Sequence, residues 1–264
     1  MAEIPARVPH ILLTDSARAD AYRSPRTGGG KRDLPERDRV LHAQKLQSDL
    51  AEARKSAEAR WTEVSSQLPV GVALKRGVHL DFIAEPGFDL DLNEMERKRA
   101  GIELVNVRNK QVDGHEQTLA TVFVPHGQIK VFEKKLRQYL SENTPKRNLP
   151  KHQNWAAPVA AIRRAALQAF WTSGPGDFPA DDQAVWLEVW LRGEDAGILE
   201  TFRAQVGGLG LRVAERSLQF PDRQVVLVYG SLDQLALHGQ AGHTFLADLV
   251  AIRQRISFLR RTLA

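Results

Sequence analysis

The chain has 264 residues, a net charge of +5 and no cysteine, with a pI near 9.6. The missing cysteines exclude disulfides, thiolate metal sites and a cysteine nucleophile. No apolar run approaches the roughly 20 residues needed to span a bilayer. Ile11-Leu12-Leu13 is too short for the apolar part of a secretory signal, so a cytoplasmic protein is expected. Positive charge gathers before residue 60 and around Lys146-Arg147 and Arg260-Arg261, with no interleaved basic and aromatic face. That pattern argues against nucleic acid and reads as a solvated basic surface.

Residues 1–35 hold Pro5, Pro9, Pro25, Pro35 and Gly28-Gly29-Gly30, and are expected to form an extended arm. Gly28-Gly29-Gly30-Lys31 is not a phosphate loop. It lacks a preceding strand, the required spacing and a Ser or Thr after the lysine. Residues 36–66 read as a helix, because Ala43, Leu46, Leu50, Ala53, Ala57 and Trp61 recur at spacings of three and four. This narrow stripe suits packing on the chain itself better than pairing with another helix.

A first βαββα rhythm is expected over 75–142. Val78–Ile83 is a strand, Leu90–Ala100 a short helix stopped by Gly101, and Ile102–Val107 a strand. Asp113-Gly114 is a turn, Thr118–Val124 a strand, and Ile129–Leu140 a helix with Val131, Phe132, Leu136 and Leu140 inward. A closing fourth strand is not evident. Residues 143–180 read as a linker with a helix over Ala156–Trp171, ended by Ser173-Gly174-Pro175-Gly176.

The rhythm repeats over 181–256. Ala184–Leu191 is a strand with Val185, Leu187, Val189 and Leu191 on one face and Trp186 and Trp190 on the other, which fits a central strand covered on both sides. Ile198–Val206 is a helix, halted by Gly207-Gly208-Leu209-Gly210. Leu211–Phe220 and Gln224–Tyr229 are strands about Pro221-Asp222. Ser231 caps a helix over Leu232–Leu237, and Phe245–Ile252 closes the sheet. Residues 257–264 are a tail. The whole is α+β: two tandem ferredoxin-like (βαββαβ) modules preceded by an arm and a helix.

Chemistry-bearing residues are sparse. His238 and His243 flank Gly239 and Gly242 and read as surface loop histidines, with no carboxylate partner in view. Asp89, Asp91, Glu94 and Glu96 could hold a cation, but first-turn acids on a helix explain them more simply. Ser173 and Ser231 lie in tight turns but not in a G-x-S-x-G elbow. No catalytic, metal or cofactor-binding residue is assigned. Trp155, Trp171, Trp186 and Trp190 crowd the centre of the chain. Aromatics on a sheet face can mark a partner surface, though they more often pack on helices.

Several segments carry a resemblance. They are Pro9–Leu13, Tyr22–Lys31, Gly77–Phe82, Glu85–Leu90, Arg99–Leu104, Ala120–Pro125, Ala161–Arg163, Phe170-Trp171 and Trp186–Arg192. Together they resemble the amino-terminal region of large bacterial subtilisin-like serine proteases. The resemblance implies that a catalytic domain with the Asp, His and Ser triad lies elsewhere, since no H-G-T-H or G-T-S-M occurs here. It also implies a propeptide-like role. The second module would pack its sheet on a subtilisin-like catalytic domain, in cis or in trans, and the tail would run along that domain's cleft. Trp186, Trp190, Arg253, Arg255, Phe258 and Leu259 are the partner-contact candidates under this reading. The additional module and arm leave open a second role, recruiting or sensing a partner such as an ATPase. An enzyme or small-ligand domain on the tandem sheets is the third possibility, because fold alone does not fix function.

Overall fold

The computed structural model describes residues 33–65, 76–172, 179–180, 182–193, 195–207, 211–231, 234 and 249–254. Helix α1 (Arg39–Ser65) starts on an aspartate cap: Asp38 Oδ1 accepts from the amides of Val40 at 2.8 Å and Leu41 at 3.0 Å. Its apolar stripe turns inward as the spacing predicts, with Ala43, Leu46, Leu50 and Ala53 buried.

The first sheet contains β1 (Gly77–Ala84), β2 (Glu103–Val112), β3 (His115–Pro125) and β4 (Val159–Arg164), in the spatial order β2-β3-β1-β4. Every pair is antiparallel. The β2–β3 hairpin closes on Asp113 (φ 51°) and Gly114 (φ 78°), the positive-φ pair that a two-residue hairpin turn requires. Helix α2 (Lys130–Ser141) lies beside α1 and buries Phe132, Leu136 and Tyr139. A stacked Phe132–Trp155 pair with Phe82 forms the centre of this core.

Two expectations fail here, each for a physical reason. Residues 90–100 form two 3-10 turns, Leu92–Glu94 and Lys98–Ala100, instead of a helix. Helix α1 occupies the helix layer: His42 Nε2 bonds Val159 O at 2.7 Å, and Asp49 Oδ2 accepts the Ile162 amide at 3.1 Å. What remains for 90–100 is to anchor Leu90 and Met95 in the core and turn on Gly101 (φ 66°). Likewise, Ala156–Trp171 is not a helix. It divides into α3 (Gln153–Ala156), strand β4 and a 3-10 turn at Leu167–Phe170. Pro158 cannot donate within a helix, and the open edge of β1 takes the next amides instead. The missing fourth strand of the first module is therefore β4.

The second sheet repeats the topology with β5 (Val185–Arg192), β6 (Arg212–Phe220), β7 (Arg223–Gly230) and β8 (Leu249–Gln254), ordered β6-β7-β5-β8. Helix α4 (Ala196–Gly207) follows β5, and Asp195 Oδ1 caps it at the Gly197 amide, 2.8 Å away. Leu199, Phe202 and Val206 pack on Leu187, Val189 and Val228. Strand β6 breaks register between Val213 and Ser217, where Arg203 Nη2 donates to the carbonyls of Ala214 and Glu215 at 3.3 and 2.7 Å. Ser231 does act as a cap. Its Oγ accepts from the Gln234 amide at 3.2 Å and its amide donates to Gln234 Oε1 at 2.9 Å, a reciprocal capping pair. The helix expected over 232–237 otherwise lies outside the described residues, as do the Gly28–Lys31 run and Ser173–Gly176.

The α+β class with two ferredoxin-like modules holds. The modules are joined through residues 165–171. The Ala165 amide bonds His79 O at 2.9 Å on β1. Asn106 Nδ2 of β2 bonds Ala169 O at 2.8 Å. Ala165, Ala169, Phe170 and Trp171 belong to the second core, and Val105 packs against it. Glu103 and Arg192 form an ion pair between the sheets.

Candidate functional site

The faces of the second sheet follow from its register. Val185, Leu187, Val189 and Leu191 of β5 are buried. The alternate residues Trp186, Glu188, Trp190 and Arg192 point the other way, opposite Tyr229, Leu227, Val225 and Arg223 of β7. β6 adds Arg212, Leu218 and Phe220 to this second face. Trp190 stacks on Phe220 with centroids 5.8 Å apart and planes within 8°. Trp186 meets Tyr229 at 5.3 Å, and the Arg212 guanidinium sits 4.5 Å over the Tyr229 ring.

This face is open. Leu218 is 63 %, Phe220 43 % and Trp186 39 % exposed. The expectation that β5 is covered on both sides is thus corrected: it is central in the sheet, but among the described residues only its α4 face is covered. An apolar surface rimmed by Arg192, Arg212 and Arg223 is the composition of a protein-docking patch, aromatic in the middle and charged around it. The sequence-derived candidates Trp186 and Trp190 lie here. Arg253 stands opposite Glu188 in the β5–β8 register, so its backbone position is on this face. Arg255, Phe258 and Leu259 lie outside the described residues. Tyr229, Leu218, Phe220 and Arg212 were not singled out from sequence. The alternation within 212–220 and 224–229, once paired to β5, would have found them.

A second feature lies in the first module. Lys135 is buried on the inner face of α2, and Nζ donates to Glu94 O at 2.7 Å and Glu94 Oε2 at 2.8 Å. The ammonium also sits 5.0 Å from the Trp155 ring centroid. Burial lowers the Lys135 pKa, while the hydrogen bond from Lys135 holds the Glu94 carboxyl below its usual range. Glu94 also pairs with Arg97 at 3.1 Å. This use of Glu94 accounts for part of the acidic cluster at 89–96: it pins the 92–94 turn to α2. Among the described residues, no group of three His, Asp or Glu could hold a metal ion. His238 and His243 lie outside them.

His42 is also buried, with Nε2 on Val159 O and Nδ1 3.4 Å from the Tyr139 hydroxyl. Burial lowers its pKa. These contacts tie α1 to β4 and α2, which is a structural role.

Comparison with known proteins adds one match over part of the chain. The family model described as the Y4kK N-terminal domain matches residues 40–166, a span that runs from α1 to the end of β4. Among curated proteins, none matches the sequence. Solved structures similar at a low level include two that cover more than half of this chain. One is an unknown protein from Galdieria sulphuraria, 14 % identical, covering 68 % of this chain and 99 % of that one with a TM-score of 0.22. The other is a protein assigned as a glycine cleavage system transcriptional repressor, 16 % identical, covering 58 % and 80 % with a TM-score of 0.21. Similarity at this level says nothing of function. No helix among the described residues is long and apolar enough to cross a membrane.

Proposed function

We propose that this region binds and restrains a subtilisin-like catalytic domain, with the open face of the second sheet as the contact. One observation carries the reading: aromatic and aliphatic side chains at Trp186, Leu218 and Phe220 are left to solvent on an ordered sheet whose other face is already filled. Large apolar residues grouped on one side, rimmed by arginines, favour a protein partner over solvent. The sequence resemblance to the amino-terminal region of bacterial subtilisin-like proteases supplies the partner's class. In this reading the protein works in the cytoplasm, contributes no catalytic residue, and offers its tail, residues 257–264, to the partner's cleft.

The test is to add the purified chain to the matching catalytic domain and follow peptide hydrolysis and refolding yield. Slower hydrolysis or a higher refolding yield is expected, and both effects should weaken strongly in a Trp186→Ala/Phe220→Ala double variant. A catalytic domain indifferent to the wild-type chain would end this proposal.

A second reading, recruitment of a separate partner such as an ATPase, is favoured by Val40 and Leu41. They are 50 % and 66 % exposed at the start of α1, just after the arm. Capture of such an ATPase should then depend on Val40 and Leu41 and not on Trp186.

A further inference from the structure

The two modules repeat one pattern, including its irregularities. β1 pairs β4 with Leu80 opposite Arg164 and Ile83 opposite Ala161, and the register shifts between Ile83 and Ala84. β5 pairs β8 with Leu187 opposite Gln254 and Trp190 opposite Ala251, and the register shifts between Trp190 and Leu191. The outer strands share sequence at the matched positions, Ala161-Ile162-Arg163 and Ala251-Ile252-Arg253. Trp186 therefore holds the place of His79, and Glu188 that of Asp81. Tyr229 and Leu227 on β7 hold the places of Phe123 and Thr121 on β3.

In the first module the chain beyond the outer strand turns back over the sheet. The Ala165 amide bonds His79 O at 2.9 Å, and the segment then crosses towards β2. There Ala169 O accepts from Asn106 Nδ2 at 2.8 Å. Phe170 comes back over the face, its ring 5.0 Å from that of His79 and edge-on to it. Carried past β8, the same correspondence sets residues 255–261 in the place of 165–171. Their sequence is Arg255-Ile256-Ser257-Phe258-Leu259-Arg260-Arg261. It brings apolar side chains to a face that offers Trp186, Leu227 and Tyr229, and it sets Arg260 where Phe170 stands, over an aromatic ring. β8 ends at Gln254, opposite Leu187, so the chain leaves the strand beside Trp186. The rim arginines do not oppose a basic segment here. Arg192 is paired with Glu103 and Arg223 with Asp222, while Glu188 adds an acid to the face.

We propose that residues 255–261 fold back over the open face of the second sheet, as 165–171 cover the matching face of the first. The occupant of the aromatic surface in the isolated chain is then its own tail, and a partner gains that surface by displacing it. This cover concerns the chain alone and does not rest on the catalytic-domain reading. Under that reading the tail moves from the face to the partner's cleft.

The test uses the full chain and reads the tail and the face separately. Backbone hydrogen exchange of residues 255–264 is followed by mass spectrometry beside a synthetic peptide of the same sequence. The tail should exchange at least about tenfold more slowly than the peptide at any protein concentration, and Trp186→Ala should return it to the peptide's rate. From the other side, the Trp186 indole resonance is assigned in nitrogen-15-labelled protein by its loss in Trp186→Phe. A soluble gadolinium chelate then reports its exposure. Ile256→Asp/Phe258→Asp/Leu259→Asp should increase the chelate's relaxation of Trp186 and leave that of Trp155, in the first core, unchanged. Three results would each overturn the proposal: a tail exchanging at the peptide's rate, slow exchange untouched by Trp186→Ala, or a Trp186 indole no more exposed in the tail variant. Slowing that appears only at high protein concentration would assign the face to a second copy of the chain and overturn it as well. A catalytic domain indifferent to this chain would leave every one of these readouts as it is, so the two proposals fail separately.

Discussion

β1 and β5 hold the same place in two sheets of the same topology, yet they are buried differently. β1 is buried along nearly its whole length, including His79 and Asp81. β5 alternates, and its outward residues include two tryptophans. Hydropathy alone would assign these faces the other way round. In the first module the second face is covered by residues 165–171, so its polar side chains must be satisfied internally. Asp81 accepts from the Thr121 hydroxyl at 2.6 Å and pairs with Arg108 at 3.2 Å, and the His79 ring lies between Phe123 and Phe170, 5.0 Å from each. In the second module the matching face has no cover among the described residues, and it is the apolar one. A covered polar face is architecture, whereas the uncovered aromatic face is what the proposed partner contact rests on.

This contrast can be tested from its largest consequence downward. Phe132→Ala in the first core and Phe202→Ala in the second should each cost about 3–5 kcal/mol. Because residues 165–171 join the two modules, denaturant unfolding should remain one transition in both variants. Two separate transitions would show that the modules are independent. Asp81→Ala should cost about 1–3 kcal/mol, since it strands the Thr121 hydroxyl and Arg108 at a buried face. Trp186→Ala removes a far larger side chain, yet should cost only about 0.5–1.5 kcal/mol, chiefly the Tyr229 contact. Equal or reversed losses for these two substitutions would undo the contrast between covered and open faces.

Acid titration probes the α1 contact with β4. Burial lowers the His42 pKa in the folded state, so the unfolded chain takes up its proton first, near the ordinary value of 6.5. The stability contributed by neutral His42 is therefore complete above that pH. It is lost as pH falls from there through the lowered folded value. Melting temperature against pH should show this decline, and His42→Gln should flatten it. The smallest effect is expected at Lys45, about half exposed and paired with Asp49 at 2.9 Å. Lys45→Ala should change stability by about 0–1 kcal/mol.

Much of this architecture was legible in the sequence because local pattern and tertiary demand agree. The α1 stripe, the Asp113-Gly114 turn, the inward residues of α2 and the strands of the second sheet are all of this kind. Legibility failed where a distant element decided the outcome. Ala160, Ala161, Ala165 and Ala166 favour a helix by propensity, but the unpaired edge of β1 and Pro158 draw the segment into a strand. The 90–100 segment lost its helix to α1, which arrives from ahead of the module. Of the open aromatic face, Trp186 and Trp190 could be named in advance, but their exposure could not. It depends on which side of the sheet α4 covers. The buried Lys135 was missed because a lysine among apolar positions on a helix resembles a surface residue until its partner, forty-one residues upstream, is placed beside it.

The register break in β6 shapes what one edge of the second sheet can offer a neighbour. The carbonyls of Ala214 and Glu215 already accept from Arg203, so the β6 edge of the second sheet cannot present an unbroken row of backbone groups. Stacking of molecules rim to rim into a growing fibril is thereby discouraged, even though the adjoining aromatic surface is sticky. At the β6 edge, contact is left to side chains, whose shape and charge can discriminate.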